Sequence, residues 1–432
     1  MSGKGSGVQS RLRSHRTVVE RPWPHEVPAS TPAVAAPGRQ LELAAFVLSL
    51  CYGCALFQRL AFQGVGPLLS AEFSLDAAVL ADLGASFFWT YLVLMIPCGI
   101  LVDALGPRRM AIAGALLSSA GCAMFAAADG LYGLMAARIV ISAGGAFAFV
   151  CMMRFISSSF PKRKATLSGR GILVGNLGAI AAGAPLALLL SQLSWRELWT
   201  ALAVGWIVLA IAVWDRIPRD PEDRLASVRP AAVAAELRSI FGSVYTYLGI
   251  AIVAGLSGTY WAFANFIGPR LLSLNRMSAI EVGAEVSVLV CGYAIGAACW
   301  GWLGDRSRRE WLVALACVLA CASWLALTWL GSLTVLMAGG LLFAAGFGSG
   351  AFGLIYVVLT ERHPPSQSGM VIASVNCGIP LGAALSQVIA GRLEGVGMMA
   401  PVLTGCVVAA FGSIVLFAAH GATFRRIRAS SP

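Results

Sequence analysis

Apolar residues in this chain gather into unbroken runs of about 20 residues, and that run length most limits its fold. A helix of that length crosses a hydrocarbon layer about 30 Å thick. Backbone that enters lipid must pair all its own N–H and C=O groups, which only helices and closed barrels do. The runs lack the alternation of barrel strands, so a β-barrel is excluded and the fold class is an all-α membrane protein. Composition agrees: 58% of the 432 residues are hydrophobic and 12% are charged. Twelve spans are predicted, near 43–69, 78–102, 110–128, 131–153, 168–190 and 197–214, then near 244–268, 282–302, 311–330, 333–359, 368–390 and 400–420.

Lys and Arg set the orientation, because basic residues in short loops stay on the cytosolic side. With the amino terminus inside, the tails, inner loops and their flanks carry 25 of the 31 basic residues. Arg196, Arg270, Arg276 and Arg392 fall outside, and Arg59 and Arg138 lie within spans. The +11 net charge is therefore topological, and a basic tail on an anionic leaflet explains it without nucleic acid as a partner. Both termini are expected in the cytosol and the chain in an inner, or plasma, membrane. The eleven cysteines fall within spans and suggest no disulfide framework.

Hydrophilic breaks divide the chain. Residues 1–40, rich in Gly, Ser, Pro and Arg, read as a disordered cytosolic tail. Two six-span sets cover 41–214 and 243–421, a cytosolic linker covers 215–242, and a second tail covers 422–432. The sets match each other: Gly99-x-x-x-Asp103 recurs as Gly301-x-x-x-Asp305, Gly145-Ala146-Phe147 as Gly350-Ala351-Phe352, and Ser168, Gly169, Ile172, Asn176 and Gly178 as Ser368, Gly369, Ile372, Asn376 and Gly378. Three matches in one order at displacements of 200 to 205 make an internal repeat. Two repeats about an axis along the membrane normal are the plan of alternating-access carriers, with the site between them.

The loop after the second span runs Gly99-Ile-Leu-Val-Asp103-Ala-Leu-Gly106-Pro-Arg108-Arg109, with a degenerate copy around Asp305 and Arg306. It resembles the signature loop of the major facilitator superfamily, whose fold is two pseudo-symmetric six-helix bundles. The resemblance implies a conformational latch at Asp103; the alternative is a topology signal alone. An Asp at a helix C-terminus faces the negative end of the dipole and needs basic partners, which Arg108 and Arg109 can supply, or the amino end of a neighbouring helix. Arg138, Ser142, Gly144 and Gly145 resemble the family's fourth-span segment. Gly183-Ala184-Pro185 only partly resembles the drug/proton antiporter motif, whose closing glycines are missing.

A closer likeness, to the organic-anion branch with its anion:cation symporters for sugar acids, rests on Phe87-Phe88-Trp89-Thr90-Tyr91, Ile96-Pro97, Phe160-Pro161, Pro185-Leu186 and Trp195-Arg196. Two departures stand out: Gln58-Arg59 replaces the branch's Asp-Arg, and Gly145 its acid. Both acids are associated with proton coupling in that branch.

Buried polar residues supply the candidate site. Arg59 shares a helical face with Tyr52 and Gln63, next to Gln58, and an Arg within a span costs about 2.5–3.5 kcal/mol unless partnered or solvated. Cavity wall and packing both fit that stripe. Arg138 fits a structural role or substrate contact. Asn176 and Asn376, mates in the repeat, fit ligand binding or helix association. Tyr91, and Tyr260, Trp261 and Asn265 on the seventh span, complete the substrate candidates. Asp82 and Glu285, in first turns of the second and eighth spans, are proton-coupling candidates, although an acid there is already favoured by the helix dipole.

Neither a Walker loop, a metal-spaced His or Cys set nor a nucleophile elbow occurs, so an enzyme is not expected, nor a cofactor or metal. The expected protein is a monomeric secondary transporter of a small organic anion such as a carboxylate or sugar acid. Its partners are that substrate, the bilayer and, as a candidate, protons. Efflux of drug-like or other metabolites and facilitated diffusion are the alternatives.

Overall fold

The computed structural model describes residues 38–161, 163–219, 230–304, 306–330, 334–360, 363 and 368–392. The regular elements among the described residues are helices. The first group is α1 (Gly38–Phe73), α2 (Ala77–Leu105), α3 (Pro107–Ala126), α4 (Leu131–Ser159), α5 (Lys164–Ala181), α6 (Ala184–Leu190), α7 (Trp195–Arg216) and α8 (Pro230–Phe241). The second is α9 (Val244–Leu274), α10 (Ala279–Gly304), α11 (Arg309–Trp329), α12 (Val335–Thr360) and α13 (Met370–Gly391). Ten described helices are long and apolar enough to cross a bilayer, or eleven when the bent pair of α5 and α6 counts as one. The expected span at 400–420, the tail at 422–432, residues 1–37 and Asp305 lie outside the described residues.

One expectation is corrected. The span at 168–190 breaks by 43° between α5 and α6. Pro185, in the first turn of α6, donates no backbone hydrogen bond, so α5 closes on Ala179 and Ile180 through the N–H groups of Ala182 and Gly183. The 215–242 segment, expected to be a linker, contains α8.

Apolar side chains lie on both faces of these helices. On α7, Trp199, Trp206, Ala210 and Val213 are buried while Val204, Ile207, Val208 and Ile211 are exposed. An exposed stripe of branched aliphatics suits acyl chains as solvent. Helix ends are fixed by local chemistry: Asp76 accepts from Val79 N–H at 2.8 Å to start α2, and Ser194 and Glu197 form a capping box for α7. Gly106 ends α2 at φ 90° and ψ 153°, a region open essentially only to Gly, before Pro107 begins α3.

α3 packs on α4 and α7, α10 on α12, and α2 on α13. The α10–α12 contact is backbone-close, because a Cβ on Gly292 or Gly296 would stand 2.3 Å from the carbonyl oxygens of Phe343 or Phe347. Toward the first turns of α2 and α10, helices distant in sequence are joined. Arg392 pairs with Asp82, and Ser287 Oγ donates to the Ile180 carbonyl at 3.1 Å while accepting from Ala184 N–H at 3.3 Å.

Candidate functional site

Arg59, in the middle of α1, is 9% exposed. Its guanidinium carbon lies 4.6 Å from the ring centroid of Tyr91, 5.0 Å from Trp261 and 5.2 Å from Phe87. Phe87 and Tyr91 stand one helical turn apart on α2 and stack at 6.2 Å. Trp261 arrives from α9, where π-helical turns at Ala254–Gly258 and Phe263–Ile267 flank Thr259–Ala262. Such turns widen the helix and re-aim the residues between them. Nε of Arg59 is buried without a hydrogen-bond partner. Among the described residues, no carboxylate pairs with this cation.

Arg138 on α4 is fully buried. Its guanidinium carbon lies 4.1 Å from the Phe62 ring centroid and 5.1 Å from that of Phe87, and Nη2 donates to the Gly84 carbonyl at 3.1 Å. Nε and Nη1 have no hydrogen-bond partner among the described residues. Gln387 of α13 approaches the same glycine, its Oε1 2.6 Å from where a Gly84 Cβ would stand, and neither end of its amide is paired. Gly84 thus makes room for polar groups from α4 and α13.

The opposite wall is aromatic. Tyr260 stacks on Tyr293 at 4.3 Å, Tyr293 on Phe352 at 5.2 Å, and Tyr356 meets Phe352 edge-on at 5.7 Å. Tyr356 OH donates to Asn376 Oδ1, and Asn376 Nδ2 reaches Met95 Sδ of α2 at 3.7 Å. Tyr52 packs against Phe149 and over Gly175. Asn176 is half-buried on α5. Asn265 is buried, donates to the Trp261 carbonyl at 3.0 Å and leaves Oδ1 unpaired.

The two glutamines do not flank Arg59 as the sequence suggested. Gln58 Oε1 accepts from Trp206 Nε1 at 2.7 Å, which ties α1 to α7. Gln63 Nε2 donates to the Ala182 carbonyl at 2.8 Å, satisfying an acceptor at the break between α5 and α6. Tyr293 and Tyr356 join the site although the sequence offered little to mark them, and Phe87, which the sequence marked only as part of the organic-anion likeness, joins it too. Tyr293 stands beside Gly292, one of the pair that brings α10 onto α12.

The carboxylates separate into different environments. Asp82 receives Arg392 bidentately, at 3.0 Å to each oxygen, and holds that guanidinium above its ordinary pKa. Glu285 is 3% exposed, faces Gly339 of α12 and has Oε2 unpaired. Asp103 pairs with Arg154 of α4 at 2.9 Å, a partner the sequence did not single out. Arg108 donates to the Trp214 carbonyl at 2.7 Å, and Arg306 covers the Trp302 ring at 4.2 Å. Gly99 has open space where a Cβ would stand, so no close approach at this position demands glycine.

The sequence matches the family described as Major Facilitator Superfamily over residues 48–274 and 250–429. The chain belongs to the major facilitator superfamily. It is accordingly a multi-pass membrane transporter and not an enzyme. Among curated relatives, it is 24% identical over 377 residues to a probable L-galactonate transporter of Escherichia coli K12, covering 80% of this chain and 82% of the relative. It is 22% identical over 304 residues to a D-galactonate transporter of E. coli O6:H1, covering 64% and 70%. A chloramphenicol resistance protein of Pseudomonas aeruginosa is 26% identical over 254 residues, covering 55% and 58%. The solved nucleoside transporter NupG superposes with a TM-score of 0.73 at 14% identity over 88% of this chain and 99% of its own, a likeness of fold.

Proposed function

We propose that this major facilitator protein carries an organic anion of the carboxylate or sugar-acid class by alternating access. The carrying observation is the pair of buried guanidinium groups, Arg59 and Arg138, which lack a carboxylate partner among the described residues. Cation–π contacts offset part of their burial and leave N–H donors for a ligand. A carboxylate on Arg59 would be received bidentately, a geometry Lys cannot copy. Tyr91, Trp261 and Tyr260 would close around the rest of the solute, with Asn176 and Asn376 nearby in the proposed repeat. The galactonate transporters among the relatives support this substrate class.

In this reading twelve spans form two six-helix bundles, with the 215–242 segment and both termini cytosolic in a plasma membrane. The Asp82–Arg392 pair holds the outer ends together, and Asp103, held by Arg154, is the part of the inner latch that re-engages when the outer side opens. Protons, if they drive transport, use Glu285: Asp82 has a cationic partner here, whereas Glu285 carries, among the described residues, an unpaired oxygen in a buried site.

The test is ligand-induced thermal stabilisation of the purified protein by D-galactonate, D-glucuronate and aromatic carboxylates, followed by uptake into proteoliposomes. Stabilisation by an anion that disappears in Arg59→Ala supports the reading; stabilisation only by cations or neutral drugs overturns it. The chloramphenicol resistance relative and the stacked wall of Tyr260, Tyr293 and Phe352 favour efflux of a neutral aromatic compound as the second reading.

A further inference from the structure

A cleft of about 370 Å³ lies between α1, α2 and the end of α9. Gln63 and Gly66 follow Arg59 by about one and two turns on α1, and Asn265 and Pro269 follow Trp261 in the same way on α9. The cleft therefore adjoins the Arg59 cage on the side toward Ala77 and Leu80, in the opening turns of α2 near the Asp82–Arg392 pair.

Its walls combine apolar surface from Phe266 and Leu80 with polar groups from Asn265, Arg270 and Ser273. Asn265 is 1% exposed with Oδ1 unpaired, and Arg270 has a buried Nη1 with no hydrogen-bond partner. Of the acids on the flanking turns of α1 and α2, Glu72 takes Trp195 and Arg196, Asp76 accepts from Val79 N–H, and Asp82 takes Arg392. Arg270 Nη1 and Asn265 Oδ1 thus line a cavity of small-molecule size with no hydrogen-bond partner among the described residues.

We propose that this cleft is a second anion station. It would take the carboxylate of a polyhydroxy acid on Arg270 and a hydroxyl on Asn265 Oδ1, before or after the solute occupies Arg59. This rests on the anion reading above. Trp261 separates the stations: its ring covers Arg59 and its carbonyl holds the Asn265 amide. A turn of α9 at the flanking π segments would move both contacts together.

Equilibrium binding of radiolabelled D-galactonate and D-glucuronate to the full-length protein in detergent tests this, with Arg59→Ala, Arg270→Gln and Asn265→Ala compared with the unaltered chain. Two classes of site are expected. Arg270→Gln should weaken one class by about tenfold or more and leave the other, and Arg59→Ala should do the converse. Asn265→Ala should weaken the Arg270 class alone, which serves as the readout if Arg270→Gln does not fold. Two unaltered classes in Arg270→Gln, or a single class lost in Arg59→Ala, would overturn the second station and leave the anion reading standing. Binding of neither acid by the unaltered chain would overturn both. Native mass spectrometry showing a retained phospholipid that Arg270→Gln loses would assign the cleft to a lipid phosphate and overturn its role in transport.

Discussion

Arg59 and Arg138 share one phenyl ring, their guanidinium carbons standing 5.2 and 5.1 Å from the centroid of Phe87. α1 and α4 thereby bring two cations to one residue of α2, among described residues that offer neither an acid. Such an arrangement opposes the stability of the empty protein and favours an anionic ligand. Arg59→Lys is expected to weaken anion binding by about 10-fold or more, because the fork of donors is lost although the charge stays. Arg59→Ala should abolish anion binding at the Arg59 station, and with it transport, while the protein still inserts; normal transport by it would make Arg59 structural.

Arg138 tests the cost directly. Replacing a buried, incompletely paired cation with an apolar side chain of similar length often leaves a fold as stable or more so. Arg138→Met should hold or raise the thermal midpoint without ligand and lower anion affinity by about tenfold or more. A large loss of thermal stability with affinity intact would assign Arg138 to the fold alone.

The Asp82–Arg392 pair joins α2 to the end of α13 with both side chains partly solvated. An ion pair of that exposure contributes about 0.2–1 kcal/mol, so Asp82→Asn should shift the populations of open and closed outer ends by less than about fivefold. Spin-label distances across the outer ends would register the shift. The exchanged pair Asp82→Arg with Arg392→Asp should restore the original distribution.

Asp103→Asn removes the acceptor of Arg154. The expected outcome is a properly inserted protein with altered inner-end distances between labels and slower transport. Unchanged distances and transport would reduce Asp103 to a topology signal.

Glu285 is expected to separate coupling from carriage. If a proton gradient drives uptake, Glu285→Gln should abolish gradient-driven accumulation and preserve solute exchange at equal pH on both sides, since exchange needs no net proton movement. Accumulation still driven by the gradient in Glu285→Gln would exclude it as the carrier.

The sequence alone determined the solvent this chain folds in. Runs such as 131–153 admit only helices in lipid. The Gly99-to-Arg109 loop resembled that of the superfamily to which the chain belongs, and Arg59, Arg138, Tyr91 and Trp261 were legible as polar or aromatic interruptions in apolar helices. Their meeting was not legible. Arg59 and Trp261 lie about two hundred residues apart, and helical periodicity fixes which face a residue occupies but not which helix that face meets. Tertiary structure alone assigned Gln58 to Trp206 and Gln63 to the Ala182 carbonyl, gave Asp82 the partner Arg392 and Asp103 the partner Arg154, and left Oε2 of Glu285 without a partner among the described residues. The reason is physical: in an apolar chain a polar side chain takes whatever partner packing brings within about 3 Å, and that distance belongs to the assembled helices.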